Sequence, residues 1–477
     1  MAPLHVAVVV LGDVGRSPRM QYHAKSLADL SIGGQPSRVS LVGYSGEPCV
    51  PDVQEHPRIE RFLFSPFTTT LPRAAFVLYA PVKVAVLLWR LAFILLLQIE
   101  RPDVFLVQNP PSIPTLALVW LASRIYGAKF VIDWHNFGFT VLGQSKGNSH
   151  PFVRISRTYE SFFARRADAH FSVTDAMRKW MLAEWGVEPR VLYDKAPHFF
   201  RETTVAERHG LFGRLADQLA SATAALGGAG IGEGGTLFTD AKGKLRADRP
   251  ALVMSSTSWT EDEDFGMLLA AIADFDARVR DDPEFPKVLF VVTGKGPLKR
   301  FYEEKMSRMA LQKTHVCTMW LEPRDYPLLL GSADLGVCLH TSTSGLDLPM
   351  KVVDMFGCGL PVCAVGFDCL SELVRHGENG MVFSFSIELS DQMLALLRGV
   401  TGPEGNAKLK KLREGVAGFE RWQPNWQRHA APVFQASRPP PAWYHHGLLL
   451  IVVALLAAVV VVIPLTAAIG FVQRASR

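Results

Sequence analysis

The sequence predicts an α/β protein made of two doubly wound, Rossmann-like domains facing a cleft, with a C-terminal transmembrane helix behind them. Three observations carry that expectation. Short apolar runs rich in Val and Ile alternate with helical patterns through both halves of the chain, as parallel strands joined by crossover helices do. A Gly/Ala-rich stretch, Ala225-Leu-Gly-Gly-Ala-Gly-Ile-Gly-Glu-Gly-Gly235, separates the two series. Leu448 to Phe471 is uncharged and apolar over a length that spans a bilayer, with Arg474 and Arg477 after it. The resulting layout is an N-terminal domain over 1–200 containing an apolar, membrane-associating stretch at 76–99, an insertion or linker over 201–249, a second domain over 250–430, a linker over 431–447 and a transmembrane helix over 448–471.

Composition bounds the function classes. At 477 residues the chain exceeds the size that one core usually serves. Its 48% hydrophobic and 20% charged content is that of a globular protein, and a net charge of +5 is too small for a dedicated nucleic-acid binder. Five of the six Cys lie between Cys317 and Cys369 in or beside apolar runs, without zinc-ligand spacing, so buried thiols in a reducing compartment are expected. The chain passes from Met1 directly into an apolar run too short to span, so no signal peptide is read there.

In order, the first strand is Val6-Ala-Val-Val-Val-Leu11, followed by Gly12-Asp-Val-Gly-Arg-Ser-Pro-Arg-Met20. Gly12 and Gly15 permit a tight turn and a close backbone approach to a ligand, Arg16 and Arg19 add positive charge, and Ser17-Pro18 suits a helix start. The junction reads as an anion site, or more plainly as a Gly turn before a helix. Val39 to Gly43 is strand two. Phe76 to Ile99 carries Lys83 and Arg90, which favours a membrane-surface helix or a buried one over a span. Pro102 to Gln108 and Lys129 to Asp133 are further strands. The second delivers Trp134-His135 to the carboxyl edge of the sheet, where α/β proteins bind ligands. There His135 is either a general base or a hydrogen-bond partner of a core carbonyl.

Alternation restarts at Ala251 to Ser256 and continues through Val288 to Thr293, Val316 to Glu322, Leu335 to Leu339 and Leu360 to Val365. Between the last two strands, Ser344-Gly-Leu-Asp-Leu-Pro-Met-Lys-Val-Val-Asp354 puts Asp347 in a loop, Lys351 in the first turn of a helix and Asp354 three residues further on. A nucleoside diphosphate wants a cation and free N–H groups at a helix N-terminus, and a ribose wants a carboxylate. The plain alternative is a solvated Lys–Asp pair.

Val9 to His23, Ile132-Asp-Trp-His-Asn136, Ser255 to Asp264, Thr293-Gly-Lys-Gly-Pro297, Leu328 to His340 and the Ser344 stretch together resemble the GT-B glycosyltransferases. Among them they resemble the β-mannosyltransferase family of early N-glycan assembly, in the right order over about residues 5–430. The resemblance implies transfer of mannose from GDP-mannose to chitobiose on dolichol diphosphate. It implies inversion and a new β-1,4 bond, at the cytosolic face of the endoplasmic reticulum membrane, beside other lipid-linked oligosaccharide transferases. Inversion needs one base for the acceptor hydroxyl and electrostatic help for the departing diphosphate, for which His135 or Asp13 and Lys351 are the candidates. Ser258, Gly294, Lys295, Gly296, Glu322, Asp347 and Asp354 would bind the donor, and Gly12, Gly15 and Arg16 would form the acceptor or phosphate loop. No cofactor and no essential metal are expected, since Lys351 and helix N-termini can neutralise the leaving group. Two departures stand out. Many GT-B enzymes place two glutamates with seven residues between them where this chain has Asp347 and Asp354 with six, and the family's anchor is N-terminal. Readings of another class are an inactive GT-B scaffold subunit, or a lipid-linked sugar transferase with another donor such as a UDP-sugar.

Overall fold

A computed structural model describes residues 3–66, 76–227, 231–260, 263–342 and 344–436. The transmembrane helix expected at 448–471 lies outside the described residues. The chain divides into two compact units, Met1–Tyr193 with Asn425–Arg477, and Asp194–Pro424.

The first unit contains β1 (His5–Asp13), a small antiparallel pair β2 (Ser31–Ile32) and β3 (Gln35–Pro36), then β4 (Arg38–Tyr44), β5 (Ile59–Phe64), β6 (Val104–Asn109), β7 (Lys129–Trp134), β8 (Ala169–Ser172) and β9 (Arg190–Val191). All strands but the small pair form one parallel sheet in the order β5-β4-β1-β6-β7-β8-β9. Val6 to Val10 are buried without alternation, as expected of a strand covered on both faces. The connections are α1 (Pro18–Asp29), α2 (Pro51–Gln54), α3 (Phe76–Phe93), α4 (Thr115–Tyr126), α5 (Gly138–Lys146), α6 (Pro151–Ala164) and α7 (Asp175–Trp185). Because β1 to β5 are added in one direction and β6 to β9 in the other, right-handed crossovers put α3, α4 and α6 on one face of the sheet. Side-chain contacts agree. Tyr126 donates to the Leu96 carbonyl at 2.7 Å, the Ala117 amide donates to Tyr159 Oη at 3.0 Å, and Trp120 meets Phe163 edge-on at 5.9 Å. Along α3 and the turn after it, Ala85, Leu91, Ala92, Leu95 and Leu96 are buried while Val84, Phe93 and Leu97 are exposed, so the stretch packs on one side and is open on the other. Among the described residues no helix is long and apolar enough to cross a membrane.

The second unit has β10 (Ala251–Ser256), β11 (Val288–Thr293), β12 (Thr314–Met319), β13 (Leu335–Cys338), β14 (Val362–Val365) and β15 (Gly380–Phe383). They form a parallel sheet in the order β12-β11-β10-β13-β14-β15. Its helices are α8 (Val205–Arg214), α9 (Ala220–Ala225), α10 (Phe265–Val279), α11 (Lys299–Met306), α12 (Asp325–Leu330), α13 (Met350–Gly357), α14 (Ser386–Leu397) and α15 (Ala407–Ala417). Two last helices, α16 (Trp422–His429) and α17 (Ala431–Gln435), end the described chain, and the second of them packs within the first unit. There Val433 O accepts from Lys129 Nζ at 2.8 Å and the Phe434 ring lies tilted beside Phe171, with centroids 6.1 Å apart. The start of the expected 431–447 linker is therefore an ordered, half-buried helix.

Of the insertion or linker expected over 201–249, the linker reading is corrected. Leu211, Phe212, Leu215, Leu219, Leu226, Leu237 and Phe238 are buried in the same core as β10 and β11, and Thr204 with Glu207 forms a capping box on α8. Gly and Ala set the turns here, and the apolar residues between them make the contacts. Phe212 and Phe238 stack with centroids 4.0 Å apart. Phe212→Ala should lower stability by about 3–5 kcal/mol, as truncation of a packed core ring does. Thermal unfolding checks this, and an unchanged Tm would restore the linker reading.

Candidate active site

In the second unit, functional side chains gather at the carboxyl edge of the sheet. Glu263 follows the β10 loop and is buried, its Oε2 accepting from the Ser258 amide at 2.8 Å and from the Thr257 hydroxyl. Its other oxygen takes a short contact from Lys351 Nζ in the first turn of α13, and His340 Nδ1 stands 3.8 Å from the same oxygen. Asp347 accepts from the hydroxyls of Ser342 and Ser344, the latter at 3.1 Å, and its carboxylate lies 4.0 Å from His340 Nε2. The loop before α13 is thus stapled by its own serines. Lys351, in the first turn of α13, is held by a carboxylate that is itself fixed by two donors.

Gly294 and Gly296 serve this edge sterically. A Cβ on Gly294 would lie 1.7 Å from the Thr257 carbonyl oxygen and one on Gly296 would lie 1.8 Å from that of Ser258. Only glycine lets the loop after β11 press onto the loop that carries Ser258, which is exposed. Three predicted donor residues go elsewhere. Lys295 lies over the Trp320 ring at 3.6 Å, and exposed Glu322 pairs with Arg324 at 2.8 Å. Asp354 does not pair with Lys351. It faces Tyr326, and burial together with the neighbouring Asp194 pushes its carboxyl well above the usual carboxylate range.

In the first unit the centre is Asp133, at the end of β7 and fully buried. Arg19 on α1 donates to both of its oxygens, at 2.8 and 2.9 Å. His23, one turn along α1, brings Nε2 to 3.2 Å, and His135 brings Nε2 to 2.9 Å. Burial alone would raise the Asp133 carboxyl, but the Arg19 charge and the two imidazoles outweigh it and hold the carboxyl well below its usual range. Trp426 on α16 donates its indole N–H to His23 Nδ1 at 3.0 Å, which leaves the neutral His23 proton on Nε2, toward Asp133. Burial holds His23 below its ordinary value. By the same logic the His135 proton sits on Nε2, so Nδ1 carries the lone pair. His135 is 23% exposed where Asp133 is 0%.

The junction after β1 is less open to a ligand than its glycines suggest. A Cβ on Gly15 would lie 2.1 Å from the Glu47 carbonyl oxygen, so this glycine admits the neighbouring loop. Asp13 accepts from the Gly15 amide at 3.0 Å and the Glu47 amide at 3.1 Å, and Arg16 pairs with Glu47 at 3.1 Å. Asp13 is therefore a loop clasp. Gly12, by contrast, has room beside it, since a Cβ there would stand 3.8 Å from the Val10 side chain.

Two family models match this chain, "Glycosyl transferase 4-like domain" over residues 19–193 and "Glycosyl transferases group 1" over 249–399. A mouse chitobiosyldiphosphodolichol beta-mannosyltransferase is 43% identical over 91% of this chain and 90% of its own. The chain belongs to the chitobiosyldiphosphodolichol β-mannosyltransferase family. A relative in Arabidopsis thaliana, named UDP-glycosyltransferase TURAN, is 45% identical over 89% of this chain and 96% of its own. Among solved structures, sucrose-phosphate synthase from Thermosynechococcus elongatus superposes with a TM-score of 0.59 at 14% identity, over 91% of this chain and 98% of that one, which shows the GT-B fold.

For this β-mannosyltransferase family member the sequence reading missed Glu263, Arg19 in its actual role, His23, His340 and Glu160. Glu160 on α6 is buried beneath the loop that carries His135. Its Oε1 accepts from the Gly138 amide at 2.8 Å and Asn109 Nδ2 at 3.2 Å. Burial pushes its carboxyl from 4.5 up to about 7 against those donors. A folded-state value above the unfolded one means that Glu160 favours folding below about pH 4.5, an effect lost as pH rises through about 7. The loss is up to about 3 kcal/mol. Glu160→Gln keeps the acceptor and removes the charge, so its denaturant midpoint should fall less between pH 5 and pH 8 than that of the parent. Equal slopes would contradict the assignment.

Proposed function

We propose that the protein transfers mannose from GDP-mannose to the distal sugar of chitobiose carried on dolichol diphosphate, forming a β-1,4 bond with inversion. The observation that supports this most is the near full-length identity to relatives named for that lipid-linked acceptor. Chemically, an inverting transfer needs one base for the acceptor hydroxyl proton and electrostatic support for the departing diphosphate, with no covalent intermediate. His135 is the base in this reading. Its Nδ1 takes the proton while Asp133, already held by Arg19, accepts from Nε2 and stabilises the imidazolium. Asp13, committed to backbone amides, is set aside.

On the donor side, Lys351 and the amides at the α13 N-terminus meet the diphosphate, and Lys351 exchanges its contact with Glu263 for phosphate oxygens as charge builds. Asp347 and Ser258 accept from or donate to donor hydroxyls, and the glycines at 294 and 296 give their backbone to the same loop. No metal is required in this scheme. The protein acts at the endoplasmic reticulum membrane with its domains on the cytosolic side, anchored through 448–471, and works beside other transferases of the same lipid-linked glycan.

A UDP-sugar donor is the second reading, favoured by the name of the Arabidopsis relative. Purified protein with the chitobiosyl diphosphate lipid should turn over GDP-mannose and not UDP-sugars, in excess EDTA as well as without it. Transfer from a UDP-sugar instead would reassign the donor, and loss in EDTA reversed by Mg²⁺ would require a metal. Lys351→Ala should reduce turnover about a hundredfold or more with a smaller change in GDP-mannose affinity. Equal effects on both would make Lys351 a ground-state binder only.

A further inference from the structure

Helix α6, in the outer layer of the first unit, has a face that the proposed transfer does not use. Its buried positions include Val153, Ser156, Glu160 and Phe163, the side that meets α4 and the sheet. Phe152 is 62% exposed, Ile155 57% and Phe162 43%, three large apolar side chains at helical spacing on one strip. A single such residue needs no explanation, but three in register on one helix do. Their setting is basic. The same helix and the turn after it expose Arg154, Arg157, Arg165 and Arg166, and the one acid within them, Glu160, is buried. Arg166 lies over the Phe162 ring at 3.4 Å, which carries positive charge to the apolar strip itself. Arg157 is partly answered by Glu184 at 2.6 Å.

α3 lies on the other side of α4 in the same layer: Leu96, just past its end, is bonded to Tyr126 of α4, and α6 reaches α4 through Tyr159. It exposes Val84 and Phe93, with Leu97 in the turn after it, together with Lys83 and Arg90. Two helices of one layer therefore present apolar side chains interleaved with cations and very few acids. Interfacial helices have this composition, sinking apolar side chains to the acyl boundary while cations meet anionic headgroups. A protein partner of ordinary composition would ask for both signs of charge at the rim of its patch.

We infer that the exposed face of α6, with that of α3, is a docking surface for an anionic bilayer, separate from the C-terminal apolar segment. The inference rests on the lipid-linked acceptor of the proposed function only for its purpose. Docked this way, the unit that carries His135 is held at a fixed depth against the leaflet that supplies the acceptor, so the acceptor search is confined to a surface.

The test uses the full chain with an environment-sensitive fluorophore attached at Ile155→Cys. The native cysteines are five buried and one half-buried, so the new thiol reacts first, and unsubstituted protein treated alike gives the background. The control label is Phe385→Cys on the second unit, 66% exposed in the parent. Vesicles of phosphatidylcholine, with and without phosphatidylserine, are added, and emission and quenching by lipid-borne spin labels are read. The expected result is a blue shift and quenching at 155 that phosphatidylserine strengthens and that Arg154→Glu with Arg166→Glu weakens, while the label at 385 stays unchanged. No change at 155 on vesicles that carry the protein overturns the inference. So do equal changes at 155 and 385, and so does a blue shift without lipid that grows with protein concentration, which would mean self-association. The readout needs neither donor nor acceptor, so it stands or falls apart from the transfer assay.

Discussion

A carboxylate with no exposure has to be fully paired, and Asp133 is paired by three cations or donors drawn from two elements of the first unit. That requirement fixes much around it. Arg19 and His23 stand four residues apart on α1, so satisfying Asp133 fixes the rotation of that helix against the end of β7. His135, two residues past Asp133, is pinned by its own ring. Trp426 then ties His23 to the last helices, so the chain segment after the second unit is bound into the same network as the candidate base. Buried alone, the Asp133 carboxylate would be costly, and the Arg19 charge with the imidazoles beside it offsets that cost.

The second unit solves a related problem with backbone. The loops after β10 and β11 approach so closely that two glycines are obligatory, and the result is a Ser258 amide aimed at Glu263. Glu263 in turn receives Lys351, so a cation and the first turn of α13 are delivered together to the sheet edge. Holding such groups in place before ligand arrives is what makes electrostatic support effective, because nothing has to reorganise as charge develops.

Much of this is readable in the residues and some of it is not, for physical reasons. Both sheets follow from unalternated apolar runs, and β10 and β11 match their expected bounds. β5 and β15 are not anticipated: Ile59-Glu-Arg-Phe-Leu-Phe64 is an edge strand with two adjacent charges and no apolar run at its start, and Gly380-Met-Val-Phe383 is four residues long. His135 and Lys351 can be nominated because strand ends and helix starts carry ligands. Glu263 cannot, since it stands 88 residues before Lys351 inside an acidic run that looks solvated. Arg16 and Lys295 are nominated for their charge and the motifs they stand in, and their local neighbours, Glu47 and the Trp320 ring, lie too far along the chain for the sequence to show. The Gly/Ala segment misleads because composition reports backbone freedom, while packing depends on the few leucines and phenylalanines between.

Transfer by this route stands on His135 as the proton acceptor, oriented by Asp133. His135 is partly exposed, so His135→Gln should fold, and the decisive measurement is turnover with lipid-linked chitobiose, beside GDP-mannose affinity, for this variant and its parent. In His135→Gln, turnover should drop by about a hundredfold or more, while GDP-mannose affinity is retained. A variant that keeps most of the turnover would contradict it.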